Sequence, residues 1–305
     1  MVRNKREFRV VSLQRMGHHA VVSWIISMCP GFTCYLNNMF PGRNPFQVDK
    51  ERYMHFGKGV KTSSLDKIRL FFINNDAKRF HGTKLLKELS RVFLKDKKRL
   101  FDFLWSFLKK DYLIYSYEDR RLRDVCSDEF GSLHDRYLGR SSERVDILVL
   151  RDPFNFFASR MKWEERGGRC CYHLISDAVS RLQLIELWKE YAREFLGETN
   201  FLKNKKLAVN YNEWFSSVQY RQSIAQELGL EYSDQALDAV HGVGLGSSFS
   251  GFDMSGSARK LKVSERWRHF VKNRTYREIF YDKELLGLSR SIFGRMSKVE
   301  EILGV

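Results

Sequence analysis

The stretch FRVVSLQRMGHHAVVSWIISMCPG, residues 8–31, constrains the fold more than any other part of the chain. Phe8–Leu13 is an apolar, β-branched run with the composition of a buried strand, and Ala20–Met28 carries apolar residues at helical spacing. Gln14-Arg15-Met16-Gly17-His18-His19 lies between them as a strand-to-helix turn. The helix can pack back on the strand, which is how a layered α/β arrangement begins. Such a turn offers several backbone N–H donors and the positive end of a helix dipole, and both favour a phosphate or sulfate. Gly17 lets the backbone approach closely, while Arg15 adds a fixed charge with a fork of donors.

Two later strands, YLIYSYED (112–119) and VDILVLRDP (145–153), each end in charged residues. Open parallel sheets bind ligands beyond the carboxyl ends of their strands, so Glu118, Asp119, Arg151 and Asp152 are placed to meet the turn at 14–19. Helices are expected over about 173–196, with Leu174, Val179, Leu182, Ile185, Trp188, Tyr191 and Phe195 as the apolar stripe, and over about 217–228, closed by Gly229. The fold class is therefore α/β: three layers, with a central, mainly parallel sheet flanked by helices. Residues 1–305 are read as one domain. Three turn signals in 37–64 and a basic amphipathic helix over 84–110 make 38–110 an insertion, or a lid over the acceptor site.

Charge limits the ligand class. Fifty-three Lys and Arg against 37 Asp and Glu give a net +16, a field that favours nucleotides, nucleic acid, acidic glycans or anionic lipid. A nucleic-acid module is disfavoured because the basic residues are spread along the chain. One glycine with no Lys-Ser/Thr after it disfavours an ordinary P-loop NTPase, and the absence of GxGxxG disfavours a dinucleotide site. The five cysteines show neither a repeated CxxC nor a zinc-like spacing, which fits a reduced cytosol. No run approaches about 18 apolar residues, and MVRNKREFRVV passes from charges straight into a strand. A cytoplasmic chain without an anchor is the expectation.

VLRDPFNFFASRMKW puts Arg151 at a strand end, Pro153 at a helix start and Ser159 on that helix, so that Arg and Ser can grip one anion from two sides. With LQRMGHHAVVSWI, this segment resembles the sulfotransferase superfamily that uses 3′-phosphoadenylyl sulfate (PAPS). In that family a first strand enters a P-[K/R]-[S/T]-G loop, and a later strand ends R-[D/N]-P with Ser eight positions after the Arg. Here Gln14 stands where Pro is common, Arg15 fits, Met16 replaces Ser/Thr and Gly17 is kept, while Arg151 and Ser159 match closely. KLAVNYNEWFSSVQYRQSIAQELGL (206–230) looks like the family's strand, turn and helix, and ARKLKVSERWRHF (258–270) resembles its C-terminal nucleotide loop without the glycines.

The resemblance implies a sulfotransferase/P-loop-like fold and PAPS as sulfuryl donor, with no metal. It implies that Arg15, Met16, Gly17, His18, His19 and Ala20 hold the phosphosulfate, that Arg151 and Ser159 hold the 3′-phosphate, and that Arg259 and Lys260 close on the nucleotide. Arg15 would stabilise the bridging and leaving oxygens. The family's Lys-Thr-His is not found; YSYED stands in its place, so Glu118 is the candidate base, with His19 behind it. The acceptor is a hydroxyl or amine on a small molecule or glycan. The alternatives are a divergent P-loop nucleotide-binding or kinase-like protein, and an inactive member kept for binding.

Overall fold

The structure, a computed structural model, describes residues 2–39, 52–56, 109–168, 173–240 and 246–305. Its frame is a six-stranded sheet built from β1 (Val2–Ser12), β2 (Phe32–Leu36), β3 (Arg52–Phe56), β4 (Lys110–Glu118), β5 (Arg140–Leu150) and β6 (Lys205–Asn210). The order is β3-β2-β4-β1-β5-β6. Five strands run parallel, and β3 pairs antiparallel with β2 at the edge. The mainly parallel α/β sheet read from the sequence is the observed one.

Alternation along the strands explains the three layers. Phe8 and Val10 of β1, with Ile147 and Val149 of β5, face α1 (His18–Met28), α6 (Tyr211–Ser216) and α7 (Val218–Glu227) in one core. Val11 of β1 and Leu148 and Leu150 of β5 face the opposite core, with α4 (Pro153–Glu165), α5 (Ala178–Leu196) and α9 (Lys283–Phe293). Two short elements, α2 (Leu122–Val125) and α3 (Asp128–Leu138), join β4 to β5, and α8 (Arg274–Ile279) and α10 (Ser297–Leu303) complete the C-terminal part.

The register fixes where the site lies. Ser12 of β1 sits opposite Glu118 of β4, and Leu150 of β5 sits opposite Asn210 of β6. The residues that follow these strands therefore emerge along one edge. After β1 the chain moves outward to β2 and returns through β4; from β4 it crosses to β5 on the other side of β1. That reversal opens a crevice beyond the end of β1.

At α4 the local signals agree. Asp152 precedes Pro153, is extended at ψ 143°, and accepts the Asn155 amide at 2.8 Å, while Pro153 occupies the first helical turn where no N–H is needed. Phe154, Phe156 and Phe157 are fully buried, and losing any one to Ala would cost about 3–5 kcal/mol.

α5 differs from its reading. It begins at Ala178, capped by the Asp177 side chain on the Ser180 amide at 2.8 Å, and not near 173. Val179 and Leu182 are 64% and 63% exposed, while Leu184, Leu187, Trp188 and Tyr191 are buried. The buried stripe follows i, i+3, i+4, i+7 from Leu184; of the expected stripe Ile185, Trp188 and Tyr191 are buried, whereas Leu174, Val179 and Leu182 face outward. The insertion or lid placed at 38–110 and the helix placed at 84–110 fall almost wholly outside the described residues. No helix among the described residues is long and apolar enough to cross a membrane.

Candidate functional site

β1 gives way to a turn with an unusual backbone. Arg15 has φ 70° and Gly17 φ 93°, both left-handed. A Cβ on Gly17 would lie 2.4 Å from Tyr211 Cε2, so the ring of Tyr211 can close on this turn only because the residue is glycine. The Met16 amide donates to Leu13 O at 3.2 Å and the Ala20 amide to Gly17 O at 3.0 Å. The amides of Gly17, His18 and His19 are the orphan donors of the helix start. This corrects the sequence reading at two positions. The Met16 side chain is fully buried in the core, and the amides of Met16 and Ala20 are already used by the turn that builds the site.

A cavity of ≈ 290 Å³ lies above this turn. Four arginines line it, Arg15, Arg151 and Arg266 along the wall and Arg259 at the rim. Arg151, 1% exposed, donates from Nη1 to Ser159 Oγ at 3.2 Å and from Nη2 to the Val263 carbonyl, with its guanidinium 5.3 Å from the Tyr211 ring centre. Arg266 comes from a 3-10 segment, Val263–His269, and donates to Ser159 Oγ at 2.8 Å and Ser247 Oγ at 3.3 Å. Asn155 Oδ1 accepts the Arg266 amide at 2.8 Å and so ties this segment to α4.

Every hydrogen bond that the Arg151 and Arg266 guanidiniums make within the described residues goes to a neutral oxygen. Burial, followed by the like charge of Arg151, pulls Arg266 down to about 9, and burial lowers Arg151 as well. A buried and a part-buried cation side by side, with Asp152 as the nearby carboxylate but no hydrogen bond to it from either guanidinium, leave room for an anion. Ser159 lies behind them: it is fully buried, donates to Asn155 O at 2.7 Å and accepts from both arginines. It is outside the cavity lining, so its hydroxyl aims the arginines where the sequence reading had it grip an anion directly.

Arg15 donates from Nε to Ser248 Oγ at 2.7 Å and from Nη2 to Gly246 O at 2.9 Å, and stacks 4.3 Å from the Trp163 ring centre. Arg166 reaches Ser248 O at 3.0 Å, so the 246–248 segment is held across the cavity mouth from several sides. Arg259 also lines the cavity, but is largely exposed and paired with Asp238 through Nε at 2.8 Å. Lys260 is exposed and is not in the lining. The remaining wall is apolar and aromatic, with Tyr211, Trp214, Leu237, Val240, Leu261 and Val263.

The other end of the cavity holds Glu118, His19 and Asn37. Glu118 Oε1 lies 3.0 Å from His18 Nε2 and 3.4 Å from His19 Nε2. His19 Nε2 is also 2.8 Å from Asn37 Oδ1. Burial alone would raise Glu118, but the two imidazoles hold it well below the usual carboxylate range. Burial and the neighbouring His19 push His18 down; for His19, the hydrogen bond and charge of Glu118 outweigh burial and push it up. Asp119, φ 53°, accepts the Gln14 amide at 2.9 Å and pairs with Arg160 at 2.9 Å, so it holds the turn in place.

His18, His19 and Glu118 place one ligand atom each within 4.8 Å of the others, a spacing open to a metal ion. The rest of the donor set does not fit one. His18 Nδ1 is buried with no hydrogen-bond partner among the described residues, whereas a ligating imidazole donates its other N–H to an outer oxygen. The start of α1 and the charge of Arg15 add positive potential at the same place.

Sequence reasoning missed Arg266, Trp163 and Asn37. Arg266 had a signal in SERWRHF, where Trp267, 5% exposed, anchors the segment and turns its neighbour inward.

No protein-family model matches the chain, and no curated protein matches it. Among solved structures, the chain is similar to the sulfotransferase domain of the Synechococcus PCC 7002 olefin synthase, at 12% identity and TM-score 0.46 over 95% of each chain. It is also similar to the sulfotransferase domain of the curacin biosynthetic pathway, at 14% identity and TM-score 0.40, over 98% of this chain and 96% of that one. What the fold defines is a class: a three-layer α/β protein with a phosphate-loop-like turn at the end of its central strand.

Proposed function

We propose that this protein is a sulfotransferase that takes a sulfuryl group from PAPS and passes it to a hydroxyl or amine, with a carbohydrate or another small molecule as acceptor. The observation that carries this reading is the pair of Arg151, buried, and Arg266, part-buried, at the cavity, converging on one serine and hydrogen-bonded to no carboxylate among the described residues. A phosphate monoester placed against them satisfies both, as a bidentate, charge-assisted contact. The amides of Gly17, His18 and His19 then face the 5′-phosphosulfate, and the apolar wall around Trp214 and Leu261 takes the nucleobase. Arg15 stabilises the charge that develops on the bridging and leaving oxygens, and the His19–Glu118 end receives the acceptor. Arg259 sits at the rim, paired with Asp238, and adds only a minor charge toward the nucleotide.

A kinase-like reading is weaker because no Lys-Ser/Thr follows Gly17; His18 and His19 stand there. An inactive binding protein would keep the arginines and lose transfer. A thermal-shift panel decides between these: adenosine 3′,5′-bisphosphate should raise the melting temperature strongly, while ATP with magnesium and an oligonucleotide should not. Stabilisation by ATP with magnesium alone would overturn the reading. Transfer of labelled sulfate from PAPS to pooled glycans, lipids and phenols separates an active enzyme from an inactive one.

A further inference from the structure

Glu118 is 4% exposed at the end of β4, and its Oε1 meets two imidazoles from the first two residues of α1. An ionised carboxylate only accepts hydrogen bonds, so Nε2 of each histidine carries the hydrogen. The His19 ring is fixed a second time by Asn37 Oδ1, which is itself held by the Tyr35 hydroxyl at 2.9 Å and Ser116 Oγ at 3.1 Å. That leaves His19 Nδ1 with a lone pair. It has no hydrogen-bond partner among the described residues, it is not enclosed, and His19 lines the cavity with 21% of its side chain exposed. His18, at 1%, is not in the cavity lining and meets Glu118 through its Nε2.

We propose that these side chains form a proton-handling triad: His19 Nδ1 takes the acceptor's proton, Glu118 stays ionised and holds His19, and His18 is a positioning residue that holds Glu118. The proposal rests on the transfer reading above and assigns the base within it. As the acceptor oxygen bonds to sulfur, its proton passes to His19 Nδ1. The bond from sulfur to the bridging oxygen breaks, and its electron pair leaves on adenosine 3′,5′-bisphosphate. The His19 imidazolium then gives the proton to water.

The charged groups facing His19 are Glu118 from β4, His18 from α1 and Arg15 from the turn, with Asp119 bearing on His18. Glu118 favours a proton on His19 and Arg15 opposes it. This arrangement gives Glu118 a role different from the one its position suggests: a carboxylate this acidic is a poor proton acceptor, but a strong holder of the residue that accepts.

The test is nuclear magnetic resonance of the full chain carrying ¹⁵N-labelled histidine. In the wild type, His19 should be the Nε2–H tautomer and titrate above 6.5, while His18 should stay neutral. Glu118→Gln should lower the His19 midpoint by about one unit or more, because the largest favourable charge is gone. His18→Ala should lower it part of the way, and His18→Gln, which keeps an N–H donor toward Glu118, should restore it. With water as the probe acceptor, slow PAPS hydrolysis should fall about 10²- to 10⁴-fold in His19→Ala with bisphosphate affinity unchanged. A His19 carrying its hydrogen on Nδ1 in the wild type overturns the proposal without any variant having to fold. So does a midpoint indifferent to Glu118→Gln, or equal behaviour of His18→Ala and His18→Gln. Failure of the wild type to bind bisphosphate overturns the transfer reading, and the triad's role with it; a wrong tautomer in a protein that binds bisphosphate overturns the triad alone.

Discussion

The two ends of the cavity treat charge in opposite ways. At the Arg151–Arg266 end, a buried and a part-buried cation donate to neutral oxygens and repel each other. At the His19 end, Glu118 is closed between imidazoles within 3.0 and 3.4 Å. The first end has positive charge to spare for a visitor; the second is internally paired. An anion site is built by withholding the counter-charge, and a proton site by supplying it internally, so that one proton can come and go without stranding a buried charge. The difference also shows in the chain. The proton end comes from β4 and the start of α1, whereas the anion end joins residues 112 positions apart, Arg151 and the Val263 segment.

The largest expected effect breaks the anion end. Arg151→Ala and Arg266→Ala should each weaken adenosine 3′,5′-bisphosphate by about 10- to 100-fold, the size of a charge-assisted contact of about 1.5–3 kcal/mol. The double variant should lose less than the product of the two, since both act on one phosphate through one serine. Calorimetry reads both. In the apo protein the same substitutions should remove the stabilisation that millimolar phosphate or sulfate gives the wild type, checked by thermal unfolding.

Next in size is the turn that joins the two ends. Gly17→Ala places a methyl 2.4 Å from the Tyr211 ring at φ 93°, so it should cost about 1–3 kcal/mol of stability in backbone strain and push Tyr211 off Arg151. Chemical denaturation measures the first effect and bisphosphate affinity the second.

A third, smaller effect separates the ends by pH. Glu118 is depressed below its ordinary 4.5, so its contribution is present above 4.5 and lost as pH falls toward the folded value. His19 is raised above its ordinary 6.5, so its contribution is present below 6.5 and lost as pH rises through the folded value. Both are in force between pH 4.5 and 6.5. In that window Glu118→Gln should be less stable than wild type, with the gap narrowing on both sides. Arg266→Gln should show no such window. Matching pH profiles for the two variants would erase the comparison.

The smallest effect is at the rim. Arg259→Ala removes an exposed, ion-paired side chain and should change bisphosphate affinity by less than about threefold. A larger loss would make the rim part of the anion end.

Much of this was legible in residues 8–31 and 145–160, because the period-2 burial of β1 and β5, the Asp152-Pro153 start and the single glycine are local signals. The strand ends that carry Arg15, Glu118 and Arg151 follow from the parallel order. Arg266 was not legible. Its place at the cavity depends on Asn155 holding the backbone of a 3-10 segment 111 residues away, a pairing no local pattern announces. Met16 was misassigned for a related reason: a loop position offers both a side chain and an amide, and only the tertiary fold decides that here both are turned inward. The division of labour between Glu118 and His19 needed the Nε2 distances, since sequence places both near the acceptor without saying which holds the other.

The most direct test of the central claim, that Arg151 and Arg266 form an uncompensated pocket for one phosphate, is calorimetric titration of the wild type and the Arg151→Ala/Arg266→Ala double variant with adenosine 3′,5′-bisphosphate and adenosine 5′-phosphate. The wild type should prefer the bisphosphate by about 100-fold, on the order of two charge-assisted contacts, and the double variant should bind the two nucleotides about equally. A wild type that does not distinguish them, or a double variant that keeps the preference while folded, contradicts the account.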